Sequence, residues 1–265
     1  MDGPQDIFDT LKVEKMFTAT QRFQLWPQAS LLTQWVGNGS VGDDTFNKFY
    51  SSIVPGLASN MEASEKMKLA GNALLDQVGV RIFTGLGKKG KSHSVQPAIL
   101  LTHSQAGQFG WILADARPGK VKAIIAIEPM GPPFTSAIFP PLTPARPYGL
   151  TEIPLTFSPP IQSAADLQTH IVSSSINFTC IQQVPPPRKL INLDNVRVLV
   201  VTSEAGYHSV YDACSVEFLR SAGVSVDHVR LEDVGIHGNG HMMFMEKNNL
   251  QIADEVVMKW LNQAL

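Results

Sequence analysis

The sequence predicts an α/β fold, a mostly parallel sheet with helices on both faces. Three observations predict it. Unbroken runs of apolar and β-branched residues recur at 98–102, 121–127, 196–202 and 224–231, the pattern of strands buried on both sides. Segments of helical length separate most of them. Of the 18 prolines, 13 fall between Pro129 and Pro187, so one irregular insertion interrupts the alternation.

Taken in order, residues 1–76 offer aromatic and helical pieces, with Trp26, Trp35, Phe46 and Tyr50 among them, and no convincing parallel strand. They are expected to form a lid or flank. Residues 80–84 form a plausible strand, followed by Gly85-Leu-Gly-Lys-Lys-Gly90-Lys91-Ser92, which matches the phosphate-loop pattern GxxxxGK[ST]. A phosphate loop needs a helix to follow it, whereas Pro97 opens a strand here, so the segment reads as a basic, glycine-rich hairpin loop. Ala98 to Thr102 is a strand. A helix from 104 to 117 follows and ends at Arg117-Pro118. Val121 to Ile127 is a second strand, closed by Glu128-Pro129, and the proline-rich lid insertion spans 129–190. Val196 to Thr202 is the third strand, Tyr211 to Ala222 a helix closed by Gly223, and Val224 to Leu231 the fourth strand. Leu250 to Leu261 is an amphipathic helix.

The 265 residues suit a single α/β domain over 1–265. A net charge of −2 and a 44% hydrophobic content indicate an ordinary globular chain without a nucleic-acid footprint. No apolar run reaches the roughly 18 residues that a membrane span needs. The start has neither the basic region nor the apolar core of a signal peptide, so a cytoplasmic location is expected. Cys180 and Cys214 are too few for a disulfide framework and lack metal-ligand spacing, which fits a reducing cytosol. No cofactor is expected.

The chemistry is expected at the carboxyl ends of the strands. Thr102-His103-Ser104-Gln105-Ala106-Gly107 stands where a buried strand turns into a helix. On such a turn a serine projects its hydroxyl above the sheet edge, and the next amide, that of Gln105, points at a developing oxyanion. Thr102 and Ala106 stand where G-x-S-x-G would place glycine, and a helix N-cap is the other reading of Ser104. A nucleophilic serine needs a base and an orienting acid. His241, in the glycine-rich loop 235–243 before the last helix, can reach back over the first strand's end. His237 lies four residues earlier without a third ligand cluster, so a metal site is not expected. His103 is expected to pack beside the serine, and His208 and His228 to lie at surface or helix-start positions. For the acid, Glu128 closes the strand after the nucleophile and Glu204 the next one, with Asp212 and Asp233 as further alternatives.

Together, Thr102 to Gly107, Ala114-Asp-Ala-Arg-Pro, Ile127-Glu128-Pro-Met-Gly-Pro-Pro-Phe134 and Gly238-Asn-Gly-His241-Met-Met resemble the α/β-hydrolase superfamily. They look most like an esterase subgroup whose acid is a Glu after the strand following the nucleophile, with similar relatives among fungal toxin and secondary-metabolite hydrolases. The resemblance covers about residues 13–265 and implies Ser104 as nucleophile, His241 as base and Glu128 as acid. It matches the carboxyl-terminal two thirds of that fold. The earlier strands and the His-Gly loop that donates a second oxyanion hydrogen bond are not read before Ser104, a loss that typically costs on the order of 10²- to 10³-fold in turnover.

The expected function is therefore a serine hydrolase acting on a small apolar ester or lactone, in secondary metabolism by analogy. The alternative is a hydrolase-derived protein that binds an apolar ligand or assists a non-hydrolytic step. A homo-oligomer is compatible with either. Phe134, Ile138, Phe139, Leu142, Tyr148, Leu155 and Phe157, with Trp26 and Trp35, are the expected apolar walls, about half of them ordinary core.

Overall fold

The computed structural model describes residues 5–81, 97–139 and 141–264. The glycine-rich loop at 85–92 lies outside the described residues. The expected strand at 80–84 does not form at its start, because the helix Asn60–Arg81 runs through Val80.

After a series of short helical turns between Thr10 and Leu31 come two longer helices, α1 at Asp44–Ser52 and α2 at Asn60–Arg81. Asp43 caps α1 by accepting from the backbone N–H groups of Thr45 and Phe46. The first parallel strand, β1, is Ala98–Ser104, followed by α3 at Ala106–Ala116 and β2 at Val121–Pro129. An antiparallel hairpin of β3 (Thr169–Ser174) and β4 (Thr179–Gln183) comes next. Then follow β5 at Arg197–Thr202, α4 at Asp212–Ser221 and β6 at Ser225–Arg230. A C-terminal helical segment closes the chain, with a wider π-type stretch, Ala253–Met258, in its middle.

The central sheet has the order β6-β5-β2-β1 with every pairing parallel. Alternate residues of β2 serve opposite faces, as the two-residue strand period requires. Ile124 and Ala126, with Val198 and Val200 of β5, pack against Trp111 of α3 and Phe218 of α4. Ala123, Ile125 and Ile127, with Leu199 and Val201, pack against Ile252, Val256 and Trp260 of the C-terminal segment. Each fully buried aliphatic side chain contributes about 1.5–3 kcal/mol, which is why a sheet covered on both sides tolerates no polar alternation. Strand β1 lies at the sheet edge, with Leu101 60% exposed.

The segment 129–190 contributes Leu150, Ile153, Leu155, Phe157 and Leu190 to the core on the α3 side, so much of the expected insertion is wall of the main body. Its hairpin is tied to α4 by a disulfide between Cys180 and Cys214. That corrects the expectation of two unpaired thiols: the residues lie 34 apart in sequence, and only folding the hairpin onto α4 brings their Cα atoms to 5.8 Å.

Candidate active site

Ser104 ends β1 with φ +54° and Gln105 leads straight into α3. A left-handed serine costs on the order of 1–3 kcal/mol of backbone strain, which the surrounding packing must hold. The holding is visible at Gly107, where a Cβ would stand 2.4 Å from Pro129 Cβ. Only glycine lets the first turn of α3 lie against the exit of β2, and so the glycine absent from position 106 is required at 107. The backbone N–H of Met130 also donates to the Ser104 carbonyl at 2.9 Å. Glu128, at the exit of β2, has φ +41°, so the ends of both strands carry the same unusual backbone.

His241 is buried, and its Nδ1 lies 2.6 Å from Glu128 Oε2. The other carboxylate oxygen of Glu128 accepts from the backbone N–H of Ser203 at 2.8 Å and from the Ser203 hydroxyl. Gly206 is what admits this approach, since a Cβ there would fall 2.7 Å from Glu128 Oε1. Burial, and then the neighbouring His208 ring, holds the His241 imidazole well below the usual histidine range and so keeps it a neutral base.

The other candidates are placed elsewhere. Glu204 accepts from the backbone N–H of Gly238 at 2.7 Å and lies 3.1 Å from His237 Nδ1, so it braces the histidine loop and does not meet His241. Asp233 is exposed. Asp212 pairs with His208 at 2.9 Å and accepts from Thr202 at 2.8 Å. Of the two positions expected for His208, surface or helix start, the structure shows the second: it stands in the short helical turn Tyr207–Val210, is buried, and stacks its ring parallel to that of His241 at 4.8 Å. His103 Nε2 lies 2.9 Å from the His241 carbonyl oxygen, and burial drives its pKa down to about 3. His228 meets the Thr202 hydroxyl at 2.9 Å. The Gln105 side chain donates to Asn60 Oδ1 at 2.7 Å, which ties the turn at Ser104 to the start of α2.

Glu128, His208 and His241 bring potential ligand atoms within 4.8 Å of one another. Those atoms already have protein partners, since His208 Nδ1 meets Asp212 and its Nε2 meets the Tyr211 hydroxyl. The donor set thus serves a hydrogen-bond network and does not converge on an ion.

Two groups that the sequence reading passed over complete the site. The Tyr207 hydroxyl lies 3.3 Å from His241 Nε2. Buried Glu246 accepts from Gly240 N–H at 2.9 Å and from Asn239 Nδ2 at 2.7 Å, fixing the residues just before His241. Burial pushes its carboxyl up to about 7. A carboxylate five residues after the candidate base, next to a glycine-rich loop, was the available signal. The amino-terminal segment also reaches the site, for Phe17 stacks on His241 at 5.4 Å and the N–H groups of Thr33 and Gln34 donate to the Gly238 carbonyl. Of the expected walls, Trp26, Ile138 and Phe139 cluster beside Tyr207, while Phe134, Tyr148, Leu155 and Phe157 pack with the main core.

The chain is 44% identical over 257 residues to the probable secreted lipase phiG of a fungus (Fungal sp., strain ATCC 74256). That relative is named a lipase, and the strand, left-handed serine and helix described above are the arrangement that the resemblance to the α/β-hydrolase superfamily implies. The match takes in 96% of this chain and 65% of the lipase, so the chain spans just under two thirds of that relative's length. A bacterial esterase of known structure is 18% identical, with 82% of this chain and 49% of that one covered and a TM-score of 0.48. The carboxylesterase CesB of Bacillus subtilis is 14% identical, with 80% and 70% covered and a TM-score of 0.37. At those scores the two likenesses carry no argument. No established family profile matches the chain. The expected cytoplasmic location is overturned: the fungal relative is named as secreted, and the Cys180–Cys214 disulfide is a bond that persists in oxidising compartments. No helix among the described residues is long and apolar enough to cross a membrane.

Proposed function

We propose that the chain is a carboxylic-ester hydrolase working through an acyl-enzyme, with Ser104 as nucleophile, His241 as base, Glu128 as the acid that orients the base and the Gln105 N–H as one oxyanion donor. The observation that carries this reading is the buried 2.6 Å contact between His241 and Glu128 at the carboxyl edge of the sheet, beside a serine in the left-handed conformation. Nδ1–H donates to the carboxylate, which leaves Nε2, the nitrogen that the Tyr207 hydroxyl meets, as the atom that accepts a proton. Attack of Ser104 on the ester carbonyl transfers the hydroxyl proton to His241, and the imidazolium so formed faces the Glu128 charge. The same proton then leaves with the alcohol, and water repeats the sequence on the acyl-enzyme.

Trp26, Ile138 and Phe139 beside Tyr207 favour a small apolar ester or lactone over a charged substrate. The similarity to a lipase named as secreted, and the disulfide, support action outside the reducing cytosol. The alternative, ligand binding without turnover, is favoured by one feature: His241 Nε2 is paired with Tyr207. A fluorophosphonate probe decides between them. Labelling is expected at Ser104 and is expected to vanish in Ser104→Ala, together with turnover of short-chain esters. Equal labelling and turnover in wild type and Ser104→Ala would sink the proposal.

A further inference from the structure

A second carboxylate–histidine pair, also buried, lies against the first. His208 Nδ1 meets Asp212 Oδ1 at 2.9 Å and its Nε2 meets the Tyr211 hydroxyl at 3.1 Å, so the ring is anchored at both nitrogens. Asp212 in turn accepts from the Thr202 hydroxyl at 2.8 Å, which ties the pair to the end of β5. Held in this way, the His208 ring lies within 3° of parallel to that of His241, with the centroids 4.8 Å apart. Phe17, His103 and Tyr207 also meet the His241 ring, but at 24°, 37° and 43°. The segment 203–212 therefore touches both members of the first pair. Ser203 grips Glu128 through its N–H and hydroxyl, Gly206 donates its N–H to Ser203 Oγ at 3.0 Å, and His208 backs the ring of His241. Rotation of the His241 ring about its Cβ–Cγ bond would swing Nδ1 away from the carboxylate and turn the ring edge into the His208 face, and in a close-packed interior that face does not give way.

We propose that His208, clamped by Asp212 and Tyr211, is a positioning residue that sets the ring plane of His241 and so keeps Nδ1 on the Glu128 carboxylate. It touches no reacting atom and acts through His241 alone. With the plane fixed, Nε2 points in one direction throughout acylation and deacylation, and the alignment of the base does not have to be regained at each proton transfer. What His208 supplies is the flat face, and what Asp212 and Tyr211 supply is the hold on that face. The inference rests on the Ser104, His241 and Glu128 reading given above.

The test is a double-mutant cycle on a short-chain ester: wild type, His208→Gln, Glu128→Gln and the two combined, with Ser104→Ala as the baseline. Glutamine can keep hydrogen bonds to Asp212 and Tyr211 and loses only the flat ring. His208→Gln is expected to lower kcat by about 10- to 100-fold with KM within about threefold. Because His208 acts by keeping His241 on Glu128, its loss is expected to cost less than about threefold once Glu128 is already Gln. A second variant, His208→Phe with Asp212→Asn, keeps a flat ring, leaves no buried carboxylate unpaired and is expected to regain most of the kcat that His208→Gln loses. Wild-type kcat in His208→Gln overturns the inference and reduces the second pair to hydrogen-bonded core. Losses that multiply in the combined variant overturn it too, whether or not the phenylalanine variant folds, since a general weakening of the structure would act equally with and without Glu128. Unchanged turnover in Ser104→Ala instead removes the serine mechanism beneath it.

Discussion

Two Glu–His pairs stand on successive strand ends, and they differ in almost everything but composition. Glu128 and His241 are 0% and 1% exposed at their side chains and meet at 2.6 Å, whereas Glu204 and His237 are 19% and 62% exposed and meet at 3.1 Å. In the first pair burial strips water from the imidazole, keeps it neutral and makes its carboxylate partner matter. In the second, water screens the charges and the carboxylate acts mainly by accepting from the Gly238 N–H, as a brace for the loop. The same two residue types thus yield a desolvated pair or a screened one according to the depth at which the chain places them.

The comparison breaks most sharply at the carboxylates. Glu128→Gln is expected to lower kcat by about 10³- to 10⁴-fold with little change in KM, because the orienting acid acts on the histidine and not on the substrate. Glu204→Gln is expected to stay within about tenfold, since the loop retains the Glu246 contacts. Steady-state kinetics on purified, folded variants checks the ranking, and the reverse order would transfer the orienting role to Glu204.

Glu246 extends the contrast to pH. Like Glu204 it holds the histidine loop by accepting a backbone N–H, but it is buried, and its carboxyl is raised from 4.5 to about 7. A raised folded-state pKa contributes stability that is fully present below about pH 4.5 and is lost as pH rises through about 7. Urea unfolding at intervals from pH 4.5 to 8 should therefore show wild type losing stability relative to Glu246→Gln as pH rises, by up to about 3 kcal/mol. A constant difference between the two proteins would mean that this carboxyl does not titrate in that window.

The smallest effect is expected at His237. Its side chain is largely exposed, so His237→Ala should change stability by less than about 1 kcal/mol and turnover by less than about threefold. A large loss in either would show the outer pair to be more than a brace.

How much of this was legible follows from the reach of each signal. The strands and helices of the sheet were readable because apolar periodicity is local, and the boundaries moved only slightly, as where α3 begins at Ala106 and not at 104. The turn at Ser104 was readable for the same reason, and the requirement for Gly107 was not, because its close neighbour is Pro129 across the strand exit. His208 does stand at a helix start, one of the two positions expected, but its burial was not legible: a histidine after a strand carries no mark of the Asp212 partner and His241 ring that bury it.

The sequence by itself determined the alternation of strands and helices, the chain order of serine, Glu and histidine, and the strand ends at which they sit, since each depends on residues within a turn or two of chain. Tertiary structure alone decided which carboxylate meets His241 across 113 residues, that Cys180 and Cys214 pair, and that Tyr207 stands at the histidine's free nitrogen. Those outcomes turn on burial and on distances between segments far apart in the chain. Such distances are fixed by the packing of both sheet faces together, which no short stretch of sequence encodes.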